Sequence, residues 1–415
     1  MDTNDLYAQR ENFYLKTSST TRGGVYLCIV IGLVTFIAGM AMGEQTRTWG
    51  SMLFNLLFFF ALALGGVVFS GMQDVVGAVW GRPVMRIHEG FASFLPVAAA
   101  LLLGFFVCIQ AKLMGAHEVY RWIADPSMLD HFWGKKDWLN PGFMIVRDIF
   151  ALAVILTCAF WQLKTKLSGD LLMMRGSREE GERVGKEAKA KLRHWSGPVL
   201  LIYALAFTLL CFDLTMSLSP LWFSTLWGGW SFSVMMQTLM ASLLLAMFAL
   251  KSQPLGQLIR RQQFHDVGKL MHGFTIFFAY LTYAHILTYW YGNVPEETEY
   301  FLHRLHQPWL SIVIITPILA FVFPLFALLL KFSKWTAMFA IPIASTILFA
   351  QWMIYLLVVQ PEVTTANGWN GWIEVGVFFG MLGLFMVTYM GFAKRFPMVS
   401  ISDPLLPEAL SDGHH

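Results

Sequence analysis

The residues best equipped for chemistry in this chain are ionisable groups embedded in apolar runs. Asp74, His88, Glu89, Lys251 and His272 stand near one end of those runs, and Arg147, Asp148, Asp213, His285 and Glu374 near the other. Each is a candidate for a proton path, because carboxyl, imidazole and amine groups take up and release protons. An ionisable group within hydrocarbon costs roughly 2.5–3.5 kcal/mol on insertion scales, so each needs a partner or a purpose. Between the two sets lie only neutral polar groups such as Gln237, Thr275, Tyr280 and Tyr283. His272 and Tyr283 fall on nearly one helix face with Thr275 and Ala279, which predicts a polar stripe from one membrane edge to beyond mid-membrane. His285 points to the other side of that helix. The pattern fits two proton-accessible vestibules or a polar ligand pocket, and it also fits hydrogen bonding that merely holds a bundle together.

Asp213 lies one helical turn before Ser217, roughly 6 Å inside the end of its run, and no charged residue follows from Leu214 to Leu250. Arg147 and His285 lie at similar depth, so a cluster around Asp213 is expected. A quinone headgroup needs donors for two carbonyls, and His285 with Arg147, or His88 with His272, would supply them if their helices adjoin. No metal site is expected. Cys28, Cys108, Cys158 and Cys211 are far apart in apolar runs, without CxxC, CxxCH or Cys/His ligand spacing, so covalent haem and iron-sulfur ligation by this chain are not expected.

The elements that must position these groups are membrane helices. Of 415 residues, 56% are hydrophobic and 13% charged, and the mean hydropathy is +0.57, a balance that leaves a water-soluble fold nowhere to put its apolar surface. The net charge of +3 with scattered basic residues argues against a nucleic-acid partner. A spanning helix needs about 20 mostly apolar residues. Runs of that kind fall at 24–43, 52–72, 90–112, 143–164, 198–217, 230–250, 268–291, 309–331, 336–358 and 372–393. Unbroken runs indicate helices rather than barrel strands, which would alternate. The expected fold is all-α, with a tail at 1–23, one membrane domain at 24–393 and a tail at 394–415.

Lys and Arg set the orientation. They concentrate in the amino-terminal tail, in the second, fourth, sixth and eighth loops and in the carboxy-terminal tail, which predicts cytoplasmic termini. The fourth loop, within 164–197, is basic, and its stretch REEGERVGKEAKAKLRHW reads as a short solvated helix near the headgroups. The connection MSLSPLWFSTLWGGW reads as an aromatic belt or a docking surface, and YGNVPEETEYFLHRLHQPW as a loop facing an external partner. The third helix opens with RIHEGF and the seventh with KLMHGF. These helices run in the same direction, so two four-helix bundles, helices 2–5 and 6–9, related as parallel repeats and flanked by helices 1 and 10, are expected.

The segments FDLTMSLSPLWFSTLWGG (212–229) and YAHILTYWYGNVPEETEYFLHRLHQPW (283–309) resemble signatures of the ActF subunits of bacterial alternative complex III, members of the NrfD/PsrC-like membrane family. The first signature usually carries an acidic residue and then Pro-His where this chain has Ser219-Pro220-Leu221. The resemblance implies a bacterial inner-membrane subunit of a quinol:cytochrome c, or other high-potential acceptor, oxidoreductase, non-catalytic alone. Its implied partners are a sister NrfD-like subunit, extracytoplasmic iron-sulfur and multihaem cytochrome c subunits, lipids and a terminal oxidase. Quinone or menaquinone is the implied ligand, with haem c and iron-sulfur clusters on the partners. Two readings from other classes compete: a secondary transporter with a midplane site, and a structural anchor without chemistry.

Overall fold

The structure is a computed structural model that describes residues 7–8, 10–130, 134–364 and 370–411; the outermost parts of both expected tails lie outside the described residues. Among the described residues, ten helices are long and apolar enough to cross a membrane: α1 (Ser19–Ala41), α2 (Gln45–Val75), α3 (Arg82–Gln110), α4 (Pro141–Met174), α5 (Arg178–Leu214), α6 (Trp227–Leu250), α7 (Arg261–Gly292), α8 (Trp309–Ala327), α9 (Ala337–Val363) and α10 (Trp372–Arg395). No strand occurs among the described residues. The chain is an all-α, multi-pass membrane protein, because helices satisfy their own backbone groups where lipid cannot.

The helices close into two rings. In the first, α2 meets α3 and α5, while α4 packs on both α3 and α5; in the second, α6 meets α7 and α9, while α8 packs on α7 and α9. The correspondence of α2–α5 with α6–α9 is the one expected from the RIHEGF and KLMHGF echo. The rings share a seam where α2 touches α6 and α9. The most apolar stretch of α2 is 100% buried, against 22% for that of α1, so α2 is the axis of the molecule and α1 faces lipid. Helix α1 instead pairs with α10 through glycine: a Cβ on Gly32 would lie 2.2 Å from Gly380 Cα, the close backbone approach that small residues permit in membranes.

Both tails lie on one face, called here the terminal face; the other is the distal face. Leu15 N–H donates to Ala393 O at 3.0 Å and Met398 N–H to Phe13 O at 2.8 Å. The fourth loop departs from expectation. Helices α4 and α5 continue past the membrane as a hairpin whose turn is only residues 175–177, so the basic stretch extends two spanning helices rather than forming a short headgroup helix. Charged residues stop an apolar run without stopping a helix, and pairs such as Arg178–Glu182 at 3.0 Å support its exposed turns.

Candidate functional site

At the terminal face the helix ends of the first ring carry an unbroken chain of alternating charges. Arg82 bridges Asp403 and Asp74, each at 3.0 Å. Lys166 joins Asp74 at 2.6 Å to Glu89 at 2.9 Å. Arg86 joins Glu89 at 2.8 Å to Asp170 at 2.5 Å. Lys189 adds a contact with Asp74 at 3.4 Å. Four carboxylates thus face four cations, drawn from α2, α3, α4, α5 and the carboxy-terminal segment. Ser70 donates to Glu89 at 2.5 Å, and the N–H and hydroxyl of Ser402 donate to Asp170 at 2.8 and 2.7 Å. Burial of this much charge is tolerated only when every group is paired and its remaining valences are filled.

Asp74 and Glu89 are therefore brought together, by Lys166. His88 stands beside them but turns away: its Nδ1 donates to Gly66 O at 2.8 Å, its ring lies 5.1 Å from that of Phe69, and its buried Nε2 has no partner among the described residues. Because a carbonyl can only accept, that bond fixes the proton on Nδ1.

Two ion clusters lie toward the distal face. In the first, Arg147 grips Asp213 with two parallel bonds of 2.5 and 2.6 Å and gives a third, of 2.7 Å, to Trp138 O. Asp148 is buried next to both, with Asp213 and Arg147 as its charged neighbours. Neither Asp148 oxygen has a hydrogen-bond partner among the described residues. In the second, Arg47 holds Glu374 in the same fork, at 2.8 and 2.9 Å. Asn55 links that pair inward, donating to Glu374 O at 3.2 Å and accepting from Trp352 Nε1 at 2.8 Å.

The expected cluster around Asp213 forms in part. Arg147 is there. His285 is not among its partners: the imidazole bonds Ser224 at 2.8 Å and Leu281 O at 3.1 Å, against the rings of Trp227 and Trp230. The donor pairs His285 with Arg147 and His88 with His272 each span the two rings, and no bond joins either pair among the described residues. The polar stripe on α7 also dissolves. Tyr283 and Tyr280 are each 63% exposed on the outer side, whereas Met271, Thr275, Phe278, Leu281, His285 and Tyr289 form the buried face. Thr275 turns inward to Gln237 at 3.0 Å. The reason is that the exposed face, with Ile276, Phe277, Ile286 and Leu287, is apolar enough to face lipid, while the groups that hydrogen-bond across helices turn inward. Lys251 is exposed, its amine 5.3 Å from the Phe264 ring centroid.

Mid-membrane, Gln237 donates to Ala320 O at 2.8 Å and accepts from Gln351. Ala320 lies in a π-helical turn, Ile318–Val322, so the glutamine meets a carbonyl that the irregular turn leaves available. In the first ring the corresponding depth is nearly dry of polar groups. Gln162 is one turn from Lys166 and accepts from Tyr203 at 3.4 Å. From there to Arg147 is about 22 Å along α4, and its inward residues are Ile155, Leu152 and Ala151.

Arg47, Arg82, Arg86, Lys166, Asp170, Lys189 and Asp403 lie outside the ten apolar runs and escape the sequence reading. A signal existed. Arg82 and Arg86, and Lys166 and Asp170, are four apart and so share a helix face.

No family model and no curated protein matches the chain. The geometry and the two quoted signatures therefore carry the functional reading.

The distal loops are folded against one another. Trp222, from the Trp-rich connection, stacks on Tyr300 at 4.1 Å with an interplanar angle of 11°. Tyr300 sits on the short helix Pro295–Arg304, and Arg304 binds Glu362 at 3.0 Å. Burial pushes the Tyr300 hydroxyl up to about 12, lowers His303 and lowers Lys135, whose amine donates to Pro220 O at 2.8 Å.

Proposed function

We propose that this chain is a membrane subunit of a quinol-oxidising respiratory complex. In this reading it supplies separate proton-access groups at each membrane face, with the terminal face in the cytoplasm. The supporting observation is the distal cluster, in which one guanidinium faces two buried carboxyl groups. Electrical balance there leaves room for one exchangeable proton, on Asp148, because both Asp213 oxygens are bound by Arg147. The terminal chain, with four carboxylates and four cations, is balanced without one. The apolar length between them supports access from each side rather than a continuous wire. Electron carriers belong to partner subunits, in keeping with the absence of Cys/His ligand spacing from the sequence, and the folded distal loops offer those partners a shaped surface.

A midplane transporter gains little support. Helix interruptions fall on α3, at Gly90–Phe94, and on α8, at Ile318–Val322. These are not counterparts in the two rings, whereas a repeat-built transport site needs matched breaks.

The test uses Asp148→Asn and Asp213→Asn in the complete assembly, judged by haem absorbance and iron-sulfur signals that travel with the chain. Intact assembly with slowed quinol turnover or reduced proton release is expected. Wild-type turnover and release in both variants would remove the pair from the mechanism. A chain that purifies without any redox partner would end the respiratory reading altogether.

A further inference from the structure

Along the seam between the two rings runs a cavity of about 910 Å³. Its walls include Phe59 of α2, Phe91 of α3, Ala246 of α6, Phe349 of α9, and Phe378 and Phe385 of α10. It extends along α10 from Tyr389 to Val375, about 21 Å at the rise of an α-helix. Its wall is apolar along most of that length, which suits extended hydrocarbon.

The mouth lies at the terminal face, where residues 15–18 cross from the end of α10 to the start of α1. Lys16 is the sole charged side chain in the described lining, and no carboxylate accompanies it. One helical turn inward from Ala393, the carbonyl that anchors Leu15, stands Tyr389. That side chain is only 6% exposed, its ring packs 5.4 Å from Phe91, and its hydroxyl has no hydrogen-bond partner among the described residues. A buried phenol without a partner costs about 1–3 kcal/mol. Trp352 Nε1, deeper in the wall, is already bound to Asn55.

The geometry points to a bound anionic phospholipid from the leaflet at the terminal face, its acyl chains in the slot, its phosphate beside Lys16 and an ester carbonyl on Tyr389. The wall below the rim is mostly apolar and Lys16 stands at the rim, so the lipid is held by its chains below and its charge at the rim. The inference does not depend on the respiratory reading.

The experiment is native mass spectrometry of the full chain, in whatever assembly it purifies with, after incubation with phosphatidylglycerol or phosphatidylcholine vesicles. The wild type is expected to retain one phospholipid per chain and to favour phosphatidylglycerol about fivefold, the effect of one lysine at a membrane surface. Ala246→Trp narrows the slot and should abolish retention. Lys16→Glu, on the surface, should erase the preference while leaving retention, and Tyr389→Phe should weaken retention of both lipids. Should Ala246→Trp fail to fold, the other two variants decide. No retained phospholipid, retention unchanged in Ala246→Trp or in Tyr389→Phe, a preference that survives Lys16→Glu, or a prenyl quinone recovered in place of phospholipid would each overturn the assignment.

Discussion

At the scale of single residues, paired and unpaired charge behave differently. Arg47 and Glu374 are buried in a two-bond fork, so removing either partner leaves a buried charge without its main countercharge. Arg47→Ala or Glu374→Gln is expected to cost about 3–5 kcal/mol, seen as a lower unfolding temperature in detergent. The double variant Arg47→Met/Glu374→Met should recover much of that loss, and single variants that unfold with the wild type would refute the pairing. His303 gives a pH-dependent prediction. Burial lowers its affinity for protons relative to the unfolded chain, so the unfolded state binds more protons as pH falls below the ordinary histidine range near 6.5. Stability of the short helix Pro295–Arg304 is therefore fully present above that range and declines below it. The protection factors of amides in residues 295–304, which are taken relative to the intrinsic exchange rate at each pH, should be lower at pH 5.5 than at pH 7.5, and His303→Gln should flatten the difference.

At the scale of elements, the ten spans were legible because each needs only length and hydropathy. Their true ends were not. Helix α3 begins at Arg82 and α2 at Gln45, before the apolar runs start, and this places Arg82, Arg86 and Arg47 on helices rather than in loops. Which charges meet was also hidden, since Asp74, Asp170 and Asp403 come together only when four helix ends and a tail converge. Pairing on one helix can be read from spacing; pairing across helices depends on packing. The hairpin of α4 and α5 is held to the tail by glycine: a Cβ at Gly185 would lie 2.1 Å from Ser402 O. Gly185→Val should push the tail off the hairpin. Val399, buried in the native chain, reports this: Val399→Cys should resist maleimide alone and react in the Gly185→Val background.

At the scale of the whole molecule, the two rings are alike in connection and unlike in content. The first ring has charge at both ends and an apolar middle, while the second has its polar knot, Gln237 with Thr275, Ala320 and Gln351, at mid-depth. The echo RIHEGF and KLMHGF was enough to suggest the duplication, but nothing in it foretold that Arg86 and Glu89 would be locked in ion pairs while Lys269 reaches only Asp266, at 2.7 Å. The proposed sidedness is tested at the hairpin. A cysteine introduced at Lys186 should react from the cytoplasmic side of inverted vesicles and one at Glu299 only from the opposite side. The reverse pattern would overturn the orientation.

The charge chain at the terminal face has a last member that is synthesised last. Asp403, Ser402 and Ser400 reach Arg82, Asp170 and Arg86, yet they follow the tenth span. While the nascent chain is threaded into the bilayer, helices α2 to α5 thus wait with one cation in excess and two side chains short of acceptors or donors. The first ring to be inserted is among the last to be completed. Membrane proteases that sense exposed polar groups then have a measure of whether the segment 400–403 has been made, and a chain cut after Val399 should accumulate less than the uncut chain and be rescued by removing such a protease.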